Sequence, residues 1–136
     1  MGQQQLLLII LGVIIVGIAI AVGLSLFSAQ SVQSNKDAMI NDLNNIAAQA
    51  YQFRIRPGSM GGGQGSYDGS TLTPAGDPFR LPAKMATNEN ATYVPTPTAD
   101  EVVILATSIA NPTCHITVTV TSEGKLVGWV YDGDFL

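Results

Sequence analysis

Residues 6 to 27 read LLLIILGVIIVGIAIAVGLSLF, and residues 28 to 56 read SAQSVQSNKDAMINDLNNIAAQAYQFRIR. The first stretch is free of charge, as is everything up to Asn35. As a helix its 22 residues cover about 33 Å, enough to cross a hydrocarbon layer of about 30 Å. Sixteen of them are Leu, Ile, Val or Phe, which favours insertion into lipid by roughly 5 kcal/mol or more. No Pro or Gly follows Gly23 until Pro57, so nothing in the sequence ends the helix where the apolar run ends. The second stretch changes the pattern without breaking it. Val32, Met39, Ile46 and Phe53 recur every seven residues with Leu43 and Ala50 between them, which gives a helix with one apolar seam. Arg54, Arg56 and the Pro57-Gly58 pair are stop signals. One helix is therefore expected from about Gln3 to Ile55, roughly 80 Å long, with its apolar half projecting and its amphipathic half packed.

Within the apolar run, Gly12, Ala19 and Gly23 fall on one helical face at spacings of seven and four, with Gly17 and Ala21 read as lying beside them. Small residues let helices approach closely, and in lipid such a stripe is a usual means of association. The run is expected to stay in the mature chain. A secretory signal has a basic start, an apolar core of 7–15 residues and small residues at the cut, whereas Met1-Gly2-Gln3-Gln4-Gln5 is uncharged and bulky Phe27 sits two positions before Ala29. A myristoylation signal fails at Leu6, where Ser or Thr is needed.

The remaining chain holds material for one small domain. Residues 57–98 are rich in Gly, Pro, Ser, Thr and Asn and read as a long connecting loop. The glycines between Gly58 and Gly65 lack the Lys-Ser/Thr ending of a phosphate loop and do not lie between a strand and a helix. Asn90-Ala91-Thr92 is an acceptor sequon, which makes Asn90 a candidate glycosylation site. Residues 99–136 read as an antiparallel sheet: a Val/Ile-rich run from Glu101 to Ile109, then Ile116, Val118 and Val120 alternating with threonines, then a turn at residues 122–125 and a strand from Leu126 to Tyr131 with Trp129 as its largest core candidate. The expected class is α+β: residues 1–28 an apolar helix, 29–56 an amphipathic arm, 57–98 a loop region and 99–136 a sheet. The sheet needs a cover, and the seam Met39, Leu43, Ile46, Ala50 and Phe53 is the only helix available, with Trp129 packing from the sheet side.

Little in the chain points to catalysis. The net charge is −4 and the six basic residues are scattered, which argues against nucleic-acid binding. The single histidine, His115, adjoins the single cysteine, Cys114; on a strand the two point to opposite faces and cannot share a metal. No nucleophile elbow surrounds any serine, and Asp132-Gly133-Asp134 alone is thin support for calcium. Neither an enzyme nor a cofactor is expected.

An uncharged apolar N-terminal helix that runs on into an amphipathic arm, followed by a loop and an antiparallel sheet, resembles the type IV pilin and pseudopilin superfamily. The resemblance covers the chain in architecture, and its motif support lies in the first ~55 residues. It implies a homo-oligomeric helical filament at the cell surface, an inner-membrane precursor with its head outside the cytoplasm, pilus assembly machinery and a prepilin peptidase as partners. In that family a glutamate stands at mature position five. Gln5 occupies that place if the mature chain begins at Met1, and Leu7 does if cutting follows Gly2. A buried carboxylate costs roughly 2.5–3.5 kcal/mol or more in a bilayer; glutamine is neutral and still hydrogen-bonds across helices. The basic leader, the kinking proline and the C-terminal disulfide of the family are also missing from this sequence. The expected function is that of a structural subunit whose helices associate through Gln5, Gly12, Gly17, Ala19 and Gly23; the alternative is a single-pass anchored accessory or binding protein that does not polymerise.

Overall fold

The computed structural model describes residues 2–136, so Met1, the head of the expected 1–28 segment, lies outside the described residues. Helix α1 (Gly2–Ile55) is unbroken. A 3-10 turn (Gly58–Met60), a one-turn helix α2 (Ala83–Ala86) and four strands follow: β1 (Ala91–Pro97), β2 (Val102–Ser108), β3 (His115–Val120) and β4 (Leu126–Asp132). The fold is α+β. Two compact units divide the chain, Met1–Ser34 and Asn35–Leu136, and α1 contributes to both.

In the second unit the strands form one antiparallel sheet in the order β1-β2-β3-β4. The sequence reading placed three strands after residue 99; the sheet has a fourth, β1, inside the stretch read as loop. Its prolines, Pro95 and Pro97, disguise it. Proline lacks an N–H and is tolerated only where no neighbouring strand needs one, and β1 is an edge strand paired on one side alone. Alternation then sorts the side chains. Ala91, Tyr93, Val102, Ile104, Ala106, Ile116, Val118 and Val120 are buried on one face, while Thr92, Val94, Val103, Leu105, Thr117 and Thr119 lie on the other. Met39, Leu43, Ile46, Ala47 and Ala50 of α1 are buried over that inner face. Each fully buried Leu, Ile, Val or Met side chain contributes about 1.5–3 kcal/mol.

One packing expectation needs correction. Trp129 is not a core residue: it is half-buried and stacks on Tyr131, ring centroids 6.2 Å apart. A register shift between β3 and β4 at Thr117/Thr119, with Gly128 at φ 65° opposite it, keeps Trp129 on the same face as Tyr131, which pairs with inward Ile116. But β4 is an edge strand, so the ring is only partly covered. Phe53, expected in the seam, is half-buried, and its ring meets that of Phe79 with centroids 5.7 Å apart. The largest buried side chains are Tyr67 and Tyr93.

The glycine run explains how α1 stops. A helix leaves its last carbonyls without partners, and here the chain folds back to supply them. Gly63 N–H donates to Phe53 O (2.8 Å), Gly65 N–H to Arg54 O (2.7 Å) and Gln64 N–H to Arg56 O (3.1 Å). Such close approach leaves no room for side chains: a Cβ at Gly63 would stand 1.9 Å from Ser66 O, and one at Gly62 2.2 Å from Arg56 O. Gly61 differs, with φ 75° but open space around it. Gly63→Ala should therefore cost about 3 kcal/mol or more, by overpacking a fixed backbone, and Gly61→Ala only about 1–2 kcal/mol, by left-handed strain. Denaturant unfolding of the full chain in detergent micelles, followed by near-ultraviolet circular dichroism, measures the difference; equal costs would contradict the close-approach explanation.

Candidate functional site

The largest exposed apolar surface among the described residues is the first half of α1. Every residue from 2 to 31 is exposed, and all sixteen Leu, Ile, Val and Phe side chains between Leu6 and Phe27 are at least 53% exposed. That surface is long and apolar enough to cross a membrane. A soluble monomer seldom bares contiguous apolar area beyond a few hundred Å², so lipid or other protein must cover it. Gln5 lies at its start, the last of three glutamines that precede the run.

The small residues are arranged differently from the sequence reading. At about 100° per residue, Ala19 and Gly23 fall within roughly 20° of Gly12 around the axis, but Gly17 and Ala21 lie roughly 140° and 180° away. Gly17 and Ala21 are thus not beside the Gly12/Ala19/Gly23 stripe; they mark a second face. At Gly12, Gly17 and Gly23 a Cβ would meet nothing within 4 Å. The notches are open on both sides of the helix.

The second half of α1 is held to its unit by polar contacts on both flanks of the seam. On one flank, Asn35 Nδ2 donates to Asn90 O (3.3 Å) while its Oδ1 accepts from the buried Ser108 hydroxyl (2.6 Å). Two turns on, Asp42 Oδ2 accepts from Asn88 (2.8 Å), Asn90 (3.2 Å) and the Tyr93 hydroxyl (2.7 Å). On the other flank, Lys36 Nζ donates to Phe135 O (3.1 Å) and lies 4.2 Å from the Tyr131 ring centre. Arg54 donates to Ser122 O and faces the Tyr67 ring, whose hydroxyl donates to Thr121 O (2.6 Å). Sequence reasoning missed Asn35 and Asp42. Their one signal was a seven-residue spacing matching that of the seam itself.

This clamp sets the local electrostatics, well clear of the apolar span. Burial pushes the Asp42 carboxyl up, but the hydrogen bonds from Tyr93, Asn88 and Asn90 together outweigh it and hold the group below its ordinary value of 3.8. Burial and the adjacent Asp42 carboxylate push the Tyr93 phenol up; burial does the same for Tyr67 against the opposing pull of Arg54. The half-buried Asn90 uses one amide N–H on Asp42, so a glycan on that nitrogen would compete with the clamp. Cys114 is buried, its Sγ accepting from Asp134 N–H (3.3 Å), and His115 Nδ1 lies 3.1 Å from the Thr107 hydroxyl. Asp132 Oδ1 accepts from Gly133 N–H and Asp134 Oδ2 from Asn111. Among the described residues no group of three or more His, Cys, Asp or Glu side chains is placed to hold a metal ion. The glycine loop, whose N–H groups face the end of α1, offers no phosphate cradle.

Comparison with models of known protein families, with curated proteins and with solved structures finds no match to this chain.

The clamp makes a signed prediction. Because the folded carboxyl titrates below its unfolded value, Asp42 contributes stability that is present above about pH 4–5 and is lost as pH falls through the folded value. Asp42→Asn should flatten that acid branch. Asp42→Ala should cost about 1–3 kcal/mol at pH 7 by leaving the Tyr93 hydroxyl without its acceptor. Unfolding midpoints measured from pH 2 to 7 check both; an unchanged acid branch in Asp42→Asn would assign it to another carboxylate.

Proposed function

We propose that the chain is a pilin-like structural subunit that polymerises through the first half of α1. The carrying observation is that one uninterrupted helix is bare over residues 2–31 and buried in a sheet-covered seam over residues 39–50. A helix of that kind has two separable jobs. Its second half builds a folded unit, and its first half needs a partner. Before assembly that partner is the inner membrane, with the folded unit outside the cytoplasm. In the fibre it is the same segment of neighbouring copies, and the assembled fibres stand at the cell surface.

Small residues on two faces support many-sided packing. A simple tether in lipid needs no notches, and a dimer needs them on one face; a fibre core surrounds each helix with others. Neutral Gln5 supports the same reading, because it can hydrogen-bond between helices without a buried charge. Pilus assembly machinery and a prepilin peptidase are the partners this reading calls for.

Deleting residues 1–28 should give a soluble, monomeric protein, and electron microscopy of the full chain released from membranes should show fibres. Gly12→Leu and Gly17→Leu should each suppress fibres while leaving membrane insertion intact. Fibres from the truncated protein would overturn the core assignment. Unimpaired fibre formation by both leucine variants would overturn packing through the notches, and full-length protein that inserts but never polymerises would establish the tether instead.

A further inference from the structure

The flank of α1 that carries Asp42 continues toward its C-terminal end as a second, different surface. Gln49, Gln52, Phe53 and Arg56 of α1 meet Phe79 and Arg80 of the following segment around a cleft of about 250 Å³. The cleft carries two cations and two primary amides, with a tilted pair of phenyl rings behind them.

Its charge is conspicuous in an acidic chain. Of six basic side chains, three are engaged: Lys36 with Phe135 O, Arg54 with Ser122 O and Lys125 with Glu123. The side chains of Arg56, Arg80 and Lys84 meet no acceptor among the described residues. All three line this flank. Arg56 and Arg80 share the cleft, and Lys84 lines the neighbouring one with Asn45 and Asn88. The one carboxylate there, Asp42, already accepts three hydrogen bonds.

Both arginines stand on anchored backbone. Arg56 O accepts from Gln64 in the glycine cap, and Arg80 follows Phe79, which is buried and donates its N–H to Tyr67 O at 2.7 Å. Guanidinium forks recognise planar oxyanions, carboxylates above all. Carboxamides recognise hydroxyl groups by donating and accepting at once. The volume is below the roughly 300–1,000 Å³ of sites for larger ligands and suits one ring-sized unit. A cation and an amide recur in the next cleft along α1, which suits a repeating ligand.

From these features we infer that the cleft binds a carboxylate-bearing sugar unit of an acidic polysaccharide, Arg56 and Arg80 holding the carboxylate and Gln49 and Gln52 the ring hydroxyls. Lys84 receives the carboxylate of an adjoining unit. This site lies within Asn35–Leu136 and operates whether or not the chain polymerises.

The test titrates the full chain in zwitterionic micelles with trigalacturonate, its neutral methyl ester and hexaglutamate, by calorimetry and nuclear magnetic resonance. Trigalacturonate should bind, with shifts at the Gln49 and Gln52 side-chain amides, and the ester should bind at least about tenfold more weakly. Arg56→Gln and Arg80→Gln should each weaken binding about tenfold, whereas Lys125→Gln should leave it unchanged. Absence of trigalacturonate binding at millimolar concentration, equal binding of the ester, or shifts confined to other residues would overturn the proposal. Hexaglutamate binding as tightly as trigalacturonate would also overturn it, assigning the cleft to an acidic protein. The amide shifts need no substitution, so they decide the matter even if an arginine variant misfolds.

Discussion

A four-stranded antiparallel sheet has two faces, and among the described residues α1 is the one long helix with which to cover either of them. That constraint organises everything from Asn35 onward. Met39, Leu43, Ile46 and Ala50 lie over Ile104, Val118 and their neighbours, every one of them fully or nearly fully buried. The opposite face keeps Val94, Leu105, Val127 and Val130 in the open. With so few apolar residues in the seam, polar contacts must fix where the helix lies. Asn35 and Asp42 tie one flank to residues 88–93 and Ser108, and Lys36 and Arg54 tie the other to Phe135 after β4 and to Ser122 in the turn between β3 and β4. Hydrophobic burial drives the helix onto the sheet without specifying a direction; the two polar flanks give it one.

Much of this could be read from residue spacing. The helix bounds, the seam and the last three strands follow from periods of 3.6 and 2, because those elements each bury one face. What escaped the reading was whatever depended on a distant partner. β1 looks like a loop because its prolines are acceptable only at an edge, and edge status belongs to the sheet. Trp129 looks like core because it is the bulkiest side chain of its strand, but β4 is an edge strand and leaves the ring half-covered. Asp42 looks like one more solvated charge until Tyr93, fifty-one residues later, donates to it. Gly17 and Ala21 differ again: they are near Gly12 in sequence, but their angular separation on a helix puts them across the axis.

The candidate surfaces differ in the same way. The apolar half of α1 is legible because it is an excess of one kind of side chain, visible in composition alone. The arginine cleft is not, since Arg56 and Arg80 stand twenty-four positions apart and meet only because the glycine cap turns the chain back and Tyr67 holds Phe79 beside it. In the proposed fibre the two surfaces have complementary roles. One half of the helix vanishes into contact with its own kind, and the flank of the other half stays available to solvent.

Between the apolar run and Asn35 lie seven helical residues, Ser28 to Ser34, none of them buried and only Val32 half-buried. Three of them are serines and one is the β-branched Val32, a composition that favours helix weakly. If the first half of α1 is gripped and the second half is pulled, tension concentrates on the backbone hydrogen bonds of this stretch, because packing reinforces the bonds on either side. Each residue drawn from helix to extended chain lengthens by about 2 Å. Drawn out fully, these seven residues would lengthen the chain by about 13 Å.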